Sequence, residues 1–139
     1  MDKKKAIRCL AGLSLLGAII FAGIQWLNRD AGFISPANKD QVMRGKKHYD
    51  FYCASCHGSQ LEGQANWRLR MANGRLPAPP HDETGHTWHH PDSVLIDITK
   101  HGLVPGKTAP SDYVSDMPAY ANILSDSDII DVLAYIKST

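Results

Sequence analysis

The feature that most restricts this chain is a five-residue run, Cys53-Ala54-Ser55-Cys56-His57. Cys-x-x-Cys-His is the pattern by which a haem is attached covalently to a polypeptide. The two thiols add across the two vinyl groups of the porphyrin, and two intervening residues match the distance between those groups. The histidine that follows directly then lies beneath the iron and supplies an axial nitrogen. The run therefore predicts one covalently bound haem c, held by Cys53 and Cys56 and ligated by His57.

A Cys-x-x-Cys pair also occurs in thioredoxin-like redox proteins and as half of a zinc site. A redox pair needs a strand–helix–strand setting, whereas the flanks here are a predicted helix and a proline-rich loop. A zinc site needs a second pair of ligands, which the histidines between residues 81 and 90 would have to supply. Both interpretations stay open for the motif taken by itself.

The N-terminal segment is apolar and follows a basic start. Residues 9–27 are nineteen residues without a charge. A helix of that length spans roughly the ~30 Å hydrocarbon core of a bilayer. Three lysines and Arg8 precede it, and the positive-inside rule keeps that end in the cytoplasm. We therefore expect residues 1–30 to be a single-pass anchor in the cytoplasmic membrane of a bacterium, with residues 31–139 as a domain facing the periplasm.

A cleaved signal peptide is the competing interpretation of this segment. Its apolar region would be about 7–15 residues long and would end at a small-x-small cleavage site. Here the run is longer, and its end does not fit such a site, since it reads Gln25-Trp26-Leu27-Asn28. Both interpretations export residues 31–139. Because haem c is attached on the outer side of the membrane, export favours the haem interpretation of the Cys-x-x-Cys-His run.

A second axial ligand is needed for the iron, and a methionine is the candidate. The chain has four methionines, and Met117 begins a Met-Pro-Ala-Tyr sequence. The proline fixes φ at about −65° and stiffens the segment that has to hold a weak thioether ligand. A thioether opposite an imidazole raises the reduction potential of the iron. Met71 is the less favoured substitute, and the plain alternative is that Met117 only fills the core.

Two segments that precede Met117 have the pattern of helices. Residues 40–53 predict a helix that runs into the attachment motif. Pro91 at the first helical position and a stop at Gly102 predict another.

A last helix is predicted at the C-terminus. Ser125 is its N-cap, with acidic residues in the first turn. Its apolar positions recur at helical spacing: Ile129, Val132, Leu133 and Ile136. Because a glycine lets two helix backbones approach closely, we expect Gly45 to pack beside residues 133–135 of this helix.

The order of these elements resembles that of class I cytochromes c over residues 38–138. The attachment motif and the Met-Pro pair are the specific parts. The resemblance implies a small all-α fold of three to four helices around one haem, with His57 and Met117 as axial ligands. In that family a proline carbonyl after the motif usually accepts the second ring hydrogen of the axial histidine. Pro79 or Pro80 would fill that place.

One feature is unusual for a class I cytochrome c. Four histidines fall within ten residues: His81, His86, His89 and His90. Such a cluster could hold copper or zinc, or offer a histidine as an alternative axial ligand. The other interpretations are helix capping before Pro91, hydrogen bonds to the haem propionates, and a surface loop that docks a partner.

The distribution of charge restricts the partners. Residues 1–30 hold five of the 15 basic and two of the 14 acidic side chains, which leaves 10 basic and 12 acidic in residues 31–139. With neutral histidines that domain has a net charge of −2. A nucleic-acid-binding domain would show a clear basic patch. Nucleic acid is therefore not an expected partner.

The predicted site indicates an electron carrier rather than an enzyme. It shows no nucleophile or acid–base pair of catalytic design, and a six-coordinate haem leaves no position for a small-molecule substrate. We expect one haem that cycles between ferric and ferrous states on the outer face of the membrane, exchanging electrons with redox proteins at the membrane surface. The chain could also be the haem subunit of a larger oxidoreductase. The alternatives are an accessory or sensor that binds copper or zinc at the histidine cluster, and a peroxidase-like enzyme with an open iron.

Overall fold

The computed structural model describes residues 17–20 and 33–139. Residues 17–20 are helical and belong to a first unit, Met1–Ala31. The predicted anchor at residues 9–27 lies almost wholly outside the described residues. Within the parts that are described, no helix is both long and apolar enough to cross a membrane. The second unit, Gly32–Thr139, carries the attachment motif and every other predicted site residue.

The second unit is helical, as the sequence predicted, and residues 33–139 contain no β-strand. Its helices are α1 (Lys39–Tyr52), α2 (Ala54–His57), α3 (Asp92–His101) and α4 (Asp126–Ile136), with a 3₁₀ turn at Thr87–His89. Two long irregular segments, residues 58–86 and 102–125, connect them.

The ends of α1 and α3 follow from local chemistry. The Asn38 side chain accepts hydrogen bonds from the main-chain N–H groups of Asp40 and Gln41, which have no partner inside α1. Pro91 is the N-cap of α3 and not its first helical residue, because its ψ of 149° is that of extended chain. Gly102 ends α3 with a φ of +77°, a conformation that costs glycine little.

α4 begins with a reciprocal cap. The Ser125 hydroxyl accepts from the main-chain N–H of Asp128, and the Asp128 carboxylate accepts from the N–H of Ser125. This is the capping-box arrangement, with an aspartate at the position where glutamate is usual. The acidic group also lies at the positive end of the helix dipole.

α1 crosses α4 at Gly45. A Cβ on Gly45 would lie 1.8 Å from the carbonyl oxygen of Asp131 and 3.0 Å from Cβ of Tyr135. The predicted close approach of Gly45 to the last helix is therefore confirmed, but its centre is Asp131, half a turn before residues 133–135. The helices meet there because only a residue without a side chain leaves room for the facing carbonyl.

The buried core lies around this crossing. Its members come from α1, α3, α4 and the loops: Tyr49, Leu61, Leu95, Tyr120, Leu124, Ile129, Val132, Leu133 and Ile136. The stripe of α4 that the sequence predicted as core is buried throughout. Residues 129–134 of α4 are in fact all buried, the polar Asp131 included, because one face meets α1 while Val132, Leu133 and Ile136 line a cavity.

Candidate haem site

The attachment motif lies at the bend between α1 and α2. Cys53 is the C-cap of α1, and the main-chain N–H groups of Cys56 and His57 donate to its carbonyl at 3.1 and 2.9 Å. This single turn brings both thiols and the imidazole to one cavity. Both thiols are free, and burial raises the pKa of Cys53 to about 11. The pair lies at the junction of two helices, and residues 33–139 contain no β-strand, so its setting is not the strand–helix–strand one that the thioredoxin-like interpretation needs.

His57 is buried and held by one hydrogen bond. Its Nδ1 lies 2.8 Å from the carbonyl oxygen of Pro79. Because a carbonyl can only accept, Nδ1 carries the hydrogen, and Nε2 keeps its lone pair for a metal. Burial lowers the pKa of His57, which the hydrogen bond to Pro79 partly opposes. Between the two prolines that the resemblance left open, the hydrogen bond goes to Pro79 and not to Pro80.

Gly63 lets the proline segment reach His57. Its main-chain N–H donates to the His57 carbonyl at 2.7 Å. Its φ is +67°, and a Cβ there would lie 2.4 Å from the nitrogen of Pro80. Any other residue would push the Pro79–Pro80 backbone away from the histidine. The Leu61 carbonyl then accepts from the N–H of His81 at 2.7 Å, which ties the next residues to the same place.

The segment that carries Met117 is held by carbonyl groups in the last turn of α3. After Met117, the N–H of Tyr120 donates to the Thr99 carbonyl at 3.1 Å, and the N–H of Ala121 donates to Lys100 at 3.0 Å. These carbonyls belong to the last turn of α3, where the helix itself supplies no donor. The N–H of Met117 donates to the Ser115 hydroxyl at 3.0 Å. The segment is therefore tied to α3 after the methionine and closed by a local hydrogen bond before it, and Met117 is half-buried.

Cys53, Cys56, His57 and Met117 all line one cavity of ≈ 510 Å³. Cofactor pockets are typically ~300–1,000 Å³. Apolar side chains form much of the wall: Leu95, Ile98, Leu103, Val132, Leu133 and Ile136. Two thiols and an imidazole nitrogen on an apolar cavity fit a covalently attached haem c, and the Met117 thioether lines the same cavity. Met71 also lines the cavity but is 41% exposed.

The four clustered histidines form no metal site, although His81, His86 and His90 all line the cavity. The described residues contain no group of three or more His, Cys, Asp or Glu side chains placed to hold a metal ion. His86 stacks on Trp67 with ring centroids 5.5 Å apart and meets His90 edge-on at 5.4 Å. His89 is exposed. The copper or zinc interpretation is therefore not favoured.

His81 differs from the other three. It is largely buried, and Nδ1 lies 2.8 Å from the Thr87 hydroxyl. Burial, together with the nearby charges of His57 and His86, lowers the pKa of His81 to about 3. Its ring stacks on that of His57 with centroids 4.1 Å apart. The two imidazoles lie face to face, and both residues line the cavity.

The arginines near the cavity have partners that the sequence did not predict. The Arg68 guanidinium lies 3.9 Å from the centroid of the Trp67 ring, and both residues line a smaller cavity of ≈ 280 Å³ beside the first. Arg75 forms an ion pair with Asp116 and donates to the Ser115 carbonyl at 3.3 Å. Arg75 thereby ties the loop that carries Met71 to the segment that carries Met117.

Sequence reasoning missed three contributors to the site. They are Tyr52 and Tyr120, whose rings pack edge-on in the cavity wall, and Thr87, which holds His81. The Tyr120 hydroxyl also donates to the Tyr52 carbonyl at 2.8 Å. Tyr120 stands in the Met-Pro-Ala-Tyr sequence, and that position could have marked it. Nothing in the sequence around Thr87 distinguishes it from an exposed threonine.

The fold and the cavity define a class of protein, a small helical domain that fits a covalently attached haem. The family model for cytochrome c matches residues 42–139. The chain belongs to the cytochrome c family, and this membership implies covalently bound haem c and supports a haem-based electron-transfer role. Comparisons with curated proteins and with solved structures give no significant match.

Proposed function

We propose that this protein is an electron carrier of the class I type, with one haem and with His57 and Met117 as the axial ligands of its iron. The observation that carries the proposal is that two free thiols, a hydrogen-bonded imidazole and a half-buried thioether line one apolar cavity. When bound, haem supplies reversible one-electron chemistry.

Each of these residues has a physical task. Cys53 and Cys56 hold the group by covalent bonds. The Pro79 carbonyl fixes the orientation of the His57 ring and makes the imidazole more electron-donating. The apolar wall excludes water and disfavours additional charge, while a thioether ligand favours ferrous iron. The thioether and the apolar wall raise the reduction potential, while the more electron-donating imidazole partly opposes them.

Saturated coordination makes the protein a carrier rather than an enzyme. With nitrogen and sulfur on the iron, no position is open for peroxide or another substrate. The second candidate function is metal handling by the histidine cluster. Among the described residues, no group of ligands is placed to hold a metal ion. Electron exchange is therefore the activity that the site supports best.

We propose further that residues 1–30 anchor the protein in the cytoplasmic membrane of a bacterium, that the haem domain faces the periplasm, and that its partners are redox proteins at the membrane surface. The uncharged run at residues 9–27 and the basic residues before it support this. Membrane fractionation of the full chain, compared with a chain starting at residue 31 behind a cleavable export signal, tests the anchor. The mass of the purified full-length protein separates an anchor from a cleaved signal peptide.

The test of ligation uses the two methionines as a matched pair. The oxidised holoprotein should show the weak far-red charge-transfer band of methionine sulfur on ferric haem. Met117→Ala should abolish the band and lower the midpoint potential, while Met71→Ala should leave both close to wild type. Loss of the band in Met71→Ala alone would instead assign the ligand role to Met71. A wild-type protein with a low-spin spectrum and no band would reject methionine ligation, and a high-spin spectrum would reject the carrier function.

A further inference from the structure

His81, His86 and His90 line the cavity without a task in the proposed function, and His81 is the one of these three that stacks on His57. Its ring lies face to face with that of His57, with centroids 4.1 Å apart and planes 24° apart. Stacked rings of this kind restrict each other's rotation, because turning either one drives its edge into the other.

The His81 ring is itself held in place on several sides. Nδ1 is hydrogen-bonded to the hydroxyl of Thr87 at 2.8 Å, and Thr87 is only 7% exposed. The ring of Tyr49 meets His81 edge-on, with centroids 6.4 Å apart. The main-chain N–H of His81 donates to the Leu61 carbonyl at 2.7 Å. A ring fixed in this way can transmit its orientation to a neighbour.

The bond to Pro79 fixes one atom of the His57 ring and leaves the ring able to rock about that atom. We propose that His81 is a positioning residue that sets the plane of the axial imidazole of His57. The hydrogen bond between Thr87 and His81 holds the His81 ring in place. The proposal rests on His57 being an axial ligand, as stated under the proposed function. Groups behind a ligating histidine fix its ring and tune the metal, and here a second imidazole does so by stacking.

The orientation of an axial imidazole plane sets the splitting of the iron d orbitals, which electron paramagnetic resonance reads directly in the oxidised protein. Thr87→Val removes the hydroxyl that holds His81 with little change in volume. His81→Leu removes the flat ring, and His81→Phe keeps a flat ring without a nitrogen. Thr84→Val is the matched control, because Thr84 lies exposed in the same loop and its hydroxyl bonds only to Asp82.

We expect Thr87→Val and His81→Leu to shift the g-values and the midpoint potential of the holoprotein, and His81→Phe to restore both toward wild type. Thr84→Val should show neither shift. Wild-type g-values and potential in both Thr87→Val and His81→Leu would overturn the proposal. If His81→Leu fails to take up haem, Thr87→Val decides alone. The far-red methionine band is recorded for the wild-type protein and for each variant. Its absence in the wild type would mean that the axial assignment fails, which is distinct from a failure of the His81 role.

Discussion

The backbone of Gly45 in α1 faces the carbonyl of Asp131 in α4 so closely that a methyl group on Gly45 would lie 1.8 Å from that oxygen. On the neighbouring position of α1, the Arg44 guanidinium reaches the Asp131 carboxylate with Nε–Oδ2 and Nη2–Oδ1 distances of 2.6 and 3.1 Å. One residue of α4 is thus engaged through both its main chain and its side chain. This crossing joins the helix that carries the attachment motif to the helix that forms one wall of the cavity.

Gly45→Ala should weaken the fold substantially. The added methyl meets main chain rather than a movable side chain, so the helices must separate, and we expect a loss of about 3 kcal/mol or more. This outweighs the ~1 kcal/mol by which alanine is the better helix former. Urea unfolding of the holoprotein measures the difference. Gly106→Ala is the control, since a Cβ there meets nothing within 4 Å and only its φ of +76° opposes the change. Equal losses in the two variants would contradict the close contact.

Arg44→Met should cost more than loss of an ordinary surface ion pair. The Asp131 side chain is 7% exposed, and removing the cation leaves its carboxylate buried without that partner. Breaking a fully buried pair costs ~3–5 kcal/mol, but Arg44 is half-exposed, so we expect about 2 kcal/mol after screening by solvent. Lys46→Met removes the exposed pair with Asp50 and should cost about 0.5 kcal/mol. The order of the two losses in chemical denaturation checks the argument.

Asp128→Asn should destabilise the protein in a pH-dependent way. The hydrogen bond from the Ser125 hydroxyl holds the pKa of Asp128 below its ordinary value of 3.8. A carboxyl whose folded pKa is depressed contributes stability that is present above its unfolded pKa and is lost as pH falls through the folded pKa. We expect a cost of about 0.5–1 kcal/mol at pH 7 that shrinks below pH 3.8.

The control for Asp128→Asn is a double-mutant cycle with Ser125→Ala. Because the two side chains form one capping box, their losses at pH 7 should not add. Thermal unfolding of the four proteins at pH 7 and at low pH measures both effects. Additive losses, or an equal cost of Asp128→Asn at both pH values, would show that the pair does not act as a unit.

Arg75→Ala should loosen the segment that carries Met117. Arg75 holds both the Ser115 carbonyl and the Asp116 carboxylate, directly before the methionine. We expect the far-red methionine band to disappear at a lower denaturant concentration than in wild type, ahead of the unfolding of the helices. Arg70→Ala removes an exposed contact with Asp112 at 3.5 Å and a hydrogen bond to the Gly74 carbonyl at 2.8 Å. Neither contact involves residues 115–117, so the band's midpoint should stay nearly unchanged. A parallel shift of the band and the helical signal would mean general destabilisation instead.

The parts of the site that depend on neighbours along the chain were readable from the sequence. The Cys53–His57 run specifies a covalent chemistry within five residues, and Ser125 specifies a helix start by bonding within one turn. Such patterns act over a few residues, where chain geometry leaves few choices. Met117 followed from the need for a second ligand and from the proline beside it, and its ligation stays a prediction.

The tertiary structure decided contacts between residues that are distant along the chain. Pro79 rather than Pro80 meets His57 because Gly63 allows that backbone to approach. Gly45 meets Asp131 most closely, with Tyr135 beside it, because the angle at which two helices cross is set by all the side chains between them.

His81 shows the same limit most clearly. In the sequence it is one of four similar histidines, whereas in the fold its ring stacks on that of His57, and His86 stacks on Trp67 instead. The sequence by itself determined the helical class of the fold and the bounds of its main helices within a residue or two, and it predicted the attachment residues. Only the tertiary structure decided which side chains surround the imidazole, because burial depends on how separate segments pack and not on the order of the residues within any one of them.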